Sequence, residues 1–186
     1  MIAVLADTHM PKGSRRLPQR CVELIGAAEA VIHAGDFFGA EVLAQLRGLC
    51  RVVLAVHGNV DEPALRQELP EELEVEIGGR TLAIVHDAGQ VKGRLARLRR
   101  RFPAADAVVF GHSHLPLHEQ DGGFQIFKSR QPHGAAPGAA TFDGIARRQG
   151  RAADLRARLA LGTVVCPRAR LEETRTGVGG SGPPAA

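Results

Sequence analysis

Short apolar runs alternate with helical segments along the first 127 residues of this 186-residue chain, and this alternation limits the fold more than any other feature. The apolar runs have the length of buried strands, and the segments between them carry apolar residues at helical spacing. Strands that alternate with helices form a largely parallel sheet covered by helices, so the sequence predicts an α/β domain. The predicted strands cover residues 2–6, 30–32, 52–56, 73–77, 81–85, 107–110, 116–120 and 124–127, and the predicted helices cover residues 20–28, 41–49, 63–69 and 92–101.

Two of the turns between predicted strands are rich in glycine. Gly78-Gly79 separates the fourth strand from the fifth, and Asp121-Gly122-Gly123 separates the last two strands. Short turns of this composition join antiparallel neighbours. We therefore expect two hairpins in addition to the parallel strands.

Metal-ligating residue types follow five of the predicted strands. In open α/β sheets, ligands bind at the carboxyl ends of the strands. Asp7 and His9 follow the first strand two residues apart, and two residues at this spacing on extended backbone point the same way. We expect the side chains after all five strands to meet at one edge. The full set is Asp7, His9, Asp36, Asn59, His86, His112 and His114.

An alternative explanation is that these residues are polar only because the strands end there. That explanation would be preferred for a lone Asp-x-His or His-x-His pair, since short motifs often arise by chance. Five strand ends that all supply ligand types favour a metal site. Seven donors are enough for two metal ions that share a carboxylate, and Asp36 is the natural bridge. Imidazole and carboxylate donors without thiolate favour Mn, Fe, Zn or Ni.

Five short motifs in this order resemble those of the calcineurin-like metallophosphoesterase superfamily. They are Asp7-Thr8-His9, Gly35-Asp36, Gly58-Asn59, His86 and Gly111-His112-Ser113-His114, and the form Gly58-Asn59-Val60-Asp61 is similar to the small YfcE-type phosphodiesterase branch. The resemblance covers residues 1–127 and implies a two-sheet β-sandwich flanked by helices, with a dinuclear centre. It implies that Asp7, His9, Asp36 and His114 hold one metal, and that Asp36, Asn59, His86 and His112 hold the other.

The same resemblance implies a metal-dependent phosphoesterase that hydrolyses small phosphodiesters, or activated monoesters, with a hydroxide bound by both metals. Manganese is the expected metal, with Ni, Zn or Fe as alternatives. Asn59 would bind a metal and also donate a hydrogen bond to a phosphate oxygen. Phosphatases of the superfamily carry a histidine after this asparagine to assist the leaving group, whereas this chain has Val60. His57 and Asp61 are the nearest candidates for that catalytic acid.

A second function class is a non-catalytic protein-interaction scaffold on the same fold. Relatives of that kind have damaged metal sets, whereas all seven positions are filled here. Three further histidines receive other roles: His33 is predicted to orient a metal ligand, and His118 and His133 are predicted to be structural or solvated.

Other features argue against membrane and nucleic-acid partners. No apolar run is long enough to span a bilayer. The chain has no Trp or Tyr to stack on bases, and the basic segment 92–101 is interpreted as a solvated helix face. The three cysteines have no Cys-x-x-Cys spacing, so we expect reduced thiols rather than a zinc site. Together with the lack of a secretory signal, this predicts a cytoplasmic protein.

The composition changes after Phe127. Residues 1–127 have a formal net charge of −2, whereas residues 128–186 have +6 and are rich in Ala, Arg, Gly and Pro. The basic character therefore belongs to this tail and gives little support for a nucleic-acid partner. Within the tail we expect a helix over residues 152–161, a strand over residues 163–166 and disorder over residues 177–186.

Relatives end the last hairpin with Asn-Pro-Gly-Ser and further strands, where this chain has Lys128-Ser129-Arg130-Gln131. We therefore divide the chain into a metallophosphoesterase core, residues 1–127, and an atypical, partly disordered tail, residues 128–186. Our hypothesis is that the tail is read out of frame or is otherwise atypical. The loss of a final strand would leave a sheet edge unpaired, which favours instability or association into a homo-oligomer.

Overall fold

The computed structural model describes residues 1–13 and 15–129 and the short strand Thr163–Val164. The predicted strands and helices of residues 1–127 are confirmed, with small shifts of their ends. The strands are β1 Ile2–Leu5, β2 Ala30–Ala34, β3 Val53–Val56, β4 Glu72–Ile77, β5 Arg80–Val85, β6 Ala107–Phe110, β7 Leu117–Asp121, β8 Phe124–Lys128 and β9 Thr163–Val164. The helices are α1 Gln19–Gly26, α2 Ala40–Leu49, α3 Pro63–Glu68 and α4 Arg94–Arg101.

The strands form two sheets, as the family resemblance implies, rather than the one sheet that the alternation alone predicts. The first sheet is parallel throughout and has the order β3-β2-β1-β9. The second has the order β4-β5-β6-β8-β7, with β5, β6 and β8 parallel at its centre. Its two edges are the predicted hairpins, β4–β5 and β7–β8, which pair antiparallel.

Residues of β1 show why the sheets stack as they do. Ile2 and Val4 pack between the two sheets with residues such as Ile84 and Val109, whereas Ala3 and Leu5 pack on the other face with α1 and α2. Successive side chains of a strand point to opposite faces, so a run that is apolar at every position buries both faces. A third apolar cluster packs α4 against the outer face of the second sheet. The result is a sandwich of two sheets between two helical layers.

The described part of the tail adds one strand to the first sheet. Thr163–Val164 pairs in parallel with β1, Ile2 opposite Thr163, so the predicted strand at residues 163–166 is confirmed for two of its residues. The predicted helix at residues 152–161 and the predicted disorder at residues 177–186 lie outside the described residues. Among the described residues, no helix is long and apolar enough to cross a membrane.

The cysteines differ from the expectation of reduced thiols. Cys50 is a buried free thiol, but Cys21 is disulfide-bonded. The expectation is therefore wrong for Cys21. The predicted cytoplasmic location loses this support and stays a prediction.

Candidate metal centre

The fold brings all seven predicted ligands to the carboxyl ends of β1, β2, β3, β5 and β6. Short backbone hydrogen bonds tie these ends together: Asp7 N donates to Gly35 O at 3.0 Å, and Gly111 N donates to His86 O at 2.9 Å. The first sheet supplies four of the side chains and the second sheet supplies three. The centre therefore lies where the two sheets meet.

One group of donors consists of Asp7, His9, Asp36 and His114, whose ligand atoms lie within 4.8 Å of one another. His9 Nε2 is 3.4 Å from His114 Nε2 and 3.6 Å from Asp36 Oδ2. His114 Nε2 is 4.0 Å from Asp7 Oδ1. Such separations suit donors that surround one ion with bonds of about 2.1 Å.

The second group lies on the other side of Asp36. Asn59 Oδ1 is 3.0 Å from both His86 Nε2 and His112 Nδ1, and these two nitrogens are 3.3 Å apart. Asp36 Oδ1 completes the group at 3.3 Å from His86 Nε2. The four atoms can therefore surround a second ion.

The two oxygens of Asp36 face different groups. Oδ2 faces His9, whereas Oδ1 faces His86 and also accepts a hydrogen bond from Val60 N at 3.1 Å. Burial alone would raise the pKa of Asp36, but the hydrogen bond and charge of His86 outweigh burial and lower it. Asp36 is thus an ionised carboxylate positioned to bridge two cations.

The hydrogen bond of His86 to the main chain fixes the direction of its ring. Its Nδ1 lies 2.9 Å from Ala34 O, which can only accept, so Nδ1 carries a proton and Nε2 is the ring nitrogen that faces the second group. Burial would lower the pKa of His86, but its hydrogen bonds to Asp36 and to Ala34 O raise it. For His9, burial outweighs the nearby carboxylates and lowers the pKa.

The backbone at the ligands is left-handed, which the sequence did not predict. Asp7 and His9 have φ of 55° and 46°, and His112 and His114 have φ of 69° and 55°. The extended geometry that we expected for the pair Asp7/His9 is therefore wrong, although both side chains do belong to one donor group. Asp and His enter this region more readily than most residues.

Two glycines permit the close approach of the ligand loops. A Cβ on Gly111 would lie 2.5 Å from Ala34 O and 2.9 Å from His86 Nδ1. A Cβ on Gly58 would lie 2.5 Å from Asp36 N and would collide with the Asp36 carboxylate. These contacts explain why glycine precedes the ligands Asn59 and His112.

Asp61 lies beneath the ligands and is buried. Its Oδ2 accepts from Asp36 N at 3.1 Å and from Gly58 N at 2.7 Å, and its Oδ1 accepts from Phe38 N at 2.8 Å. Arg66 secures the same loop, because its guanidinium donates to Asn59 O and, at 2.9 Å, to Asp61 O. Asp61 thus holds the loop of Asp36 against the loop of Asn59.

His57 lies outside both ligand groups. Its main-chain N donates to Pro70 O at 3.0 Å, and its ring borders a cavity of about 300 Å³ beside the second group. The same cavity is lined by Asn59, Arg66 and His86.

The remaining predicted residues have structural contacts. His118 Nε2 lies 2.9 Å from Gln125 Oε1, and His133 lies outside the described residues. The basic helix is only partly a solvated face: Arg94 is buried with its guanidinium 5.0 Å from the Phe110 ring, and Arg97 donates to main-chain carbonyls.

Lys128 is the residue that the sequence interpretation missed. We placed it in the tail, yet it ends β8, its side chain is 0% exposed, and its Nζ lies 2.7 Å from Asp7 Oδ2. Burial lowers the pKa of Lys128 despite the attraction of Asp7. Asp7 Oδ1 meanwhile accepts from His112 N at 2.8 Å. A lysine after an apolar strand gives no signal by itself; only the pairing of β8 beside β6 points it at Asp7.

His33 is buried beneath the first donor group. Its Nε2 lies 3.2 Å from Thr8 Oγ1, its ring stacks on Phe37, and its Nδ1 has no hydrogen-bond partner among the described residues. Thr8 Oγ1 also contacts Asp36 O at 3.4 Å. His33 therefore supports the loops of Asp7 and Asp36 through Thr8. Burial and the nearby His86 hold the pKa of His33 at about 3.

We expect His33 to make the fold sensitive to acid. Because its folded pKa lies below the ordinary value of 6.5, the unfolded chain binds more protons between pH 3 and 6.5. The stabilisation is therefore complete above pH 6.5 and is lost as the pH falls toward 3. His33→Gln should flatten the dependence of the unfolding free energy on pH by up to about 1.4 kcal/mol per pH unit. Urea unfolding of chelator-treated protein measures this, with the exposed His118→Gln as control; an unchanged slope in His33→Gln would contradict it.

Comparison with known proteins relates this chain to a family. A sequence profile of the calcineurin-like phosphoesterase superfamily domain matches residues 1–152. A probable metallophosphoesterase of Methanocaldococcus jannaschii is 33% identical over 121 residues, which are 63% of this chain and 60% of that protein. A probable metallophosphoesterase of Methanothermobacter thermautotrophicus is 29% identical over 119 residues, which are 63% of this chain and 68% of that protein. The match thus spans less than two thirds of the first relative's length.

Solved structures show the same architecture. Vps29 from Entamoeba histolytica, in a complex with zinc, is 26% identical with a TM-score of 0.60, over 70% of this chain and 73% of that one. A single mutant of the same protein superposes with a TM-score of 0.61, at 26% identity, over 73% of this chain and 77% of that one. A solution structure of a Thermotoga maritima protein, 24% identical with a TM-score of 0.58 over 70% of this chain and 83% of that one, shares the fold.

Proposed function

The chain belongs to the calcineurin-like phosphoesterase superfamily, and on that premise we propose that it is a metal-dependent phosphodiesterase of the small YfcE-type branch. The observation that carries the proposal is the position of Asp36, whose two oxygens face two separate donor groups. Small phosphodiesters or activated monoesters are the proposed substrates. The cytoplasmic location and the homo-oligomer are part of the same proposal.

The donor set fits two divalent transition-metal ions. We propose that Asp7, His9, Asp36 and His114 hold one ion, and that Asp36, Asn59, His86 and His112 hold the other. Histidine and carboxylate donors suit manganese, with Ni, Zn or Fe as alternatives. When bound, such a pair supplies a hydroxide nucleophile at neutral pH and neutralises the charge that develops on the phosphoryl oxygens. A Vps29 structure contains zinc, which supports a metal role for this fold.

The residues of the chain would orient the substrate and the ligands. Asn59 contributes its carbonyl oxygen to the second group, which leaves its amide N–H groups to bind a phosphate oxygen. His86 would bind a metal through Nε2, because its Nδ1 donates to Ala34 O. Val60, which replaces the histidine of the phosphatase branch, can supply no proton to the leaving group. Substrates with good leaving groups are therefore favoured.

We propose that Asp61 positions the ligand loops and is not the acid. It is 3% exposed, and both of its oxygens accept main-chain hydrogen bonds. His57 stays a candidate acid, because it borders the cavity beside Asn59.

Asp61→Ala should lower the free energy of unfolding by about 3 kcal/mol, because three N–H groups, two of them buried, lose their acceptor. Asp87→Ala, which removes an exposed carboxylate that accepts one N–H, is the control and should cost under about 1 kcal/mol. Urea unfolding measures both. Turnover should fall equally for diesters with good and with poor leaving groups. A loss restricted to poor leaving groups would instead identify Asp61 as the acid.

Turnover of bis-p-nitrophenyl phosphate tests the proposed function. We expect hydrolysis that requires Mn, Ni or Zn and is abolished by a chelator. The competing proposal is a non-catalytic protein-interaction scaffold on the same fold. Absence of turnover with all three metals, in protein shown to be folded, would favour the scaffold.

The division of the chain into a core and an atypical tail also stays a proposal. One set of codons for residues 128–134, AAG UCC CGG CAG CCC CAC GGA, becomes AAU CCC GGC AGC CCC ACG GA on loss of the third base. The new frame encodes Asn-Pro-Gly-Ser, the sequence that relatives carry here. An asparagine at position 128 would face Asp7 with a neutral amide in place of the buried ammonium. Sequencing of the coding DNA tests the idea, and an intact frame without the extra base would refute it.

A further inference from the structure

Several exposed apolar residues lie next to candidate metal ligands in the chain. In the part of the chain that the structure describes, the exposed large hydrophobic residues are Phe38, Val52, Val60, Val91 and Leu115. Three of them adjoin candidate ligands: Phe38 is two residues after Asp36, Val60 follows Asn59, and Leu115 follows His114. These three, with exposures of 43%, 37% and 71%, are here called the apolar rim.

Hydrogen bonds join the rim to the bridging carboxylate. Val60 N donates to Asp36 Oδ1 at 3.1 Å, and Phe38 N donates to Asp61 Oδ1 at 2.8 Å. Glu62 N donates to Phe38 O at 3.2 Å, which brings the two loops together. Phe38 and Val60 are therefore held at a fixed position beside Asp36.

The backbone of Phe38 is strained in the same way as that of the ligands. Among the described residues, six other than glycine have a positive φ: Asp7, His9, Asp36, Phe38, His112 and His114. Five of these are candidate ligands, and the sixth is Phe38 at 89°. A bulky aromatic residue is a rare occupant of this region, and such strain persists where the surroundings impose it, often at binding sites. The fold thus holds an aromatic ring exposed where burial would be more stable.

We propose that the apolar rim binds an aromatic group carried by the phosphate ester, with Phe38 as the stacking residue that determines specificity. This inference rests on the proposed function, because the phosphate would lie on the metal centre. A phosphate bound beside Asp36 places its organic substituents near the residues that follow the candidate ligands in the chain, and three of these residues are exposed and apolar. An aryl group or a nucleobase offers the flat apolar surface that fits a phenyl ring.

Equilibrium binding of two phosphonates to the manganese-loaded full chain tests the proposal. Phenylphosphonate and methylphosphonate present the same oxygens and differ only in the organic group. By calorimetry we expect the chain to bind phenylphosphonate about tenfold more tightly, the contribution of about one stacking contact. Phe38→Ala should remove this preference and leave the affinity for methylphosphonate within about twofold. Phe38→Tyr, which keeps a ring, should restore it.

Two matched valine substitutions distinguish a local effect at the apolar rim from a general loss of structure. Val60→Ser and Val52→Ser remove equally exposed valines, but Val52 precedes β3 at the opposite end of the strand from the centre. Only Val60→Ser should weaken phenylphosphonate binding. Equal affinities of the unaltered chain for both phosphonates, with manganese bound, would overturn the inference and leave the proposed function standing. Failure to bind any of Mn, Ni, Zn and Fe would overturn both.

Discussion

Asp36→Ala is expected to abolish phosphodiester hydrolysis, with a loss of at least about a thousandfold in kcat, because both cation sites lose a ligand at once. The carboxylate presents Oδ2 to His9 and Oδ1 to His86, so no other side chain can replace it. Titration calorimetry should show manganese binding fall from two ions per chain to none at micromolar concentrations. Hydrolysis of bis-p-nitrophenyl phosphate provides the second measurement.

Asp87→Ala is the control for Asp36→Ala. Asp87 is an exposed carboxylate one residue after His86, and it lines the cavity beside the second donor group without facing either group. Its removal should leave both ions and turnover within about twofold of the parent. Circular dichroism should show that both variants are folded. Retained turnover in Asp36→Ala would refute the bridging assignment.

Lys128→Met should have the largest effect on stability. The Lys128 ammonium forms an ion pair with the fully buried Asp7 carboxylate, with 2.7 Å between Nζ and Oδ2. Removal of one member of a buried ion pair leaves an uncompensated charge and costs about 3 to 5 kcal/mol. In chelator-treated protein we therefore expect a fall of this size in the free energy of unfolding, measured with urea.

Manganese should reverse much of that loss. A cation bound at Asp7 compensates the charge that Lys128 otherwise neutralises, so the variant should bind manganese more tightly than the parent does. The difference in stability between variant and parent should then shrink as manganese is added. Arg47→Met, which breaks an exposed ion pair with Glu68, is the control and should cost under about 1 kcal/mol with or without manganese. If manganese does not change the loss in free energy of unfolding caused by Lys128→Met, Lys128 does not compensate charge at the metal site.

The identities of the candidate ligands could be predicted from the sequence because strand ends are easy to recognise. A short run that is apolar at every position, such as β1, needs both faces buried, so the polar residue that follows it must lie at the sheet edge. The resemblance of the ordered motifs to a known family then implied the two-sheet arrangement, which periodicity alone did not distinguish from one sheet.

Contacts made across the fold could not be predicted in the same way. Asp7 and His9 have a left-handed backbone. Their N–H groups donate hydrogen bonds to Gly35 O and Asp36 O, which lie in the loop after the neighbouring strand. The burial of Lys128 beside Asp7 joins residues 121 positions apart. Neither contact leaves a pattern in the local sequence, because each is decided by which strands become neighbours.

Both sheets supply donors to each group, so formation of the groups is coupled to folding. His86, His112 and His114 follow strands of the second sheet, so neither donor group is complete until the two sheets have docked. A cation that binds both groups then acts as a cross-link between the layers, and its binding free energy adds to the cohesion of the interface. At a concentration one hundred times its dissociation constant, each ion would contribute about 2.7 kcal/mol. The supply of metal would therefore govern how long the folded chain survives as well as how fast it turns over.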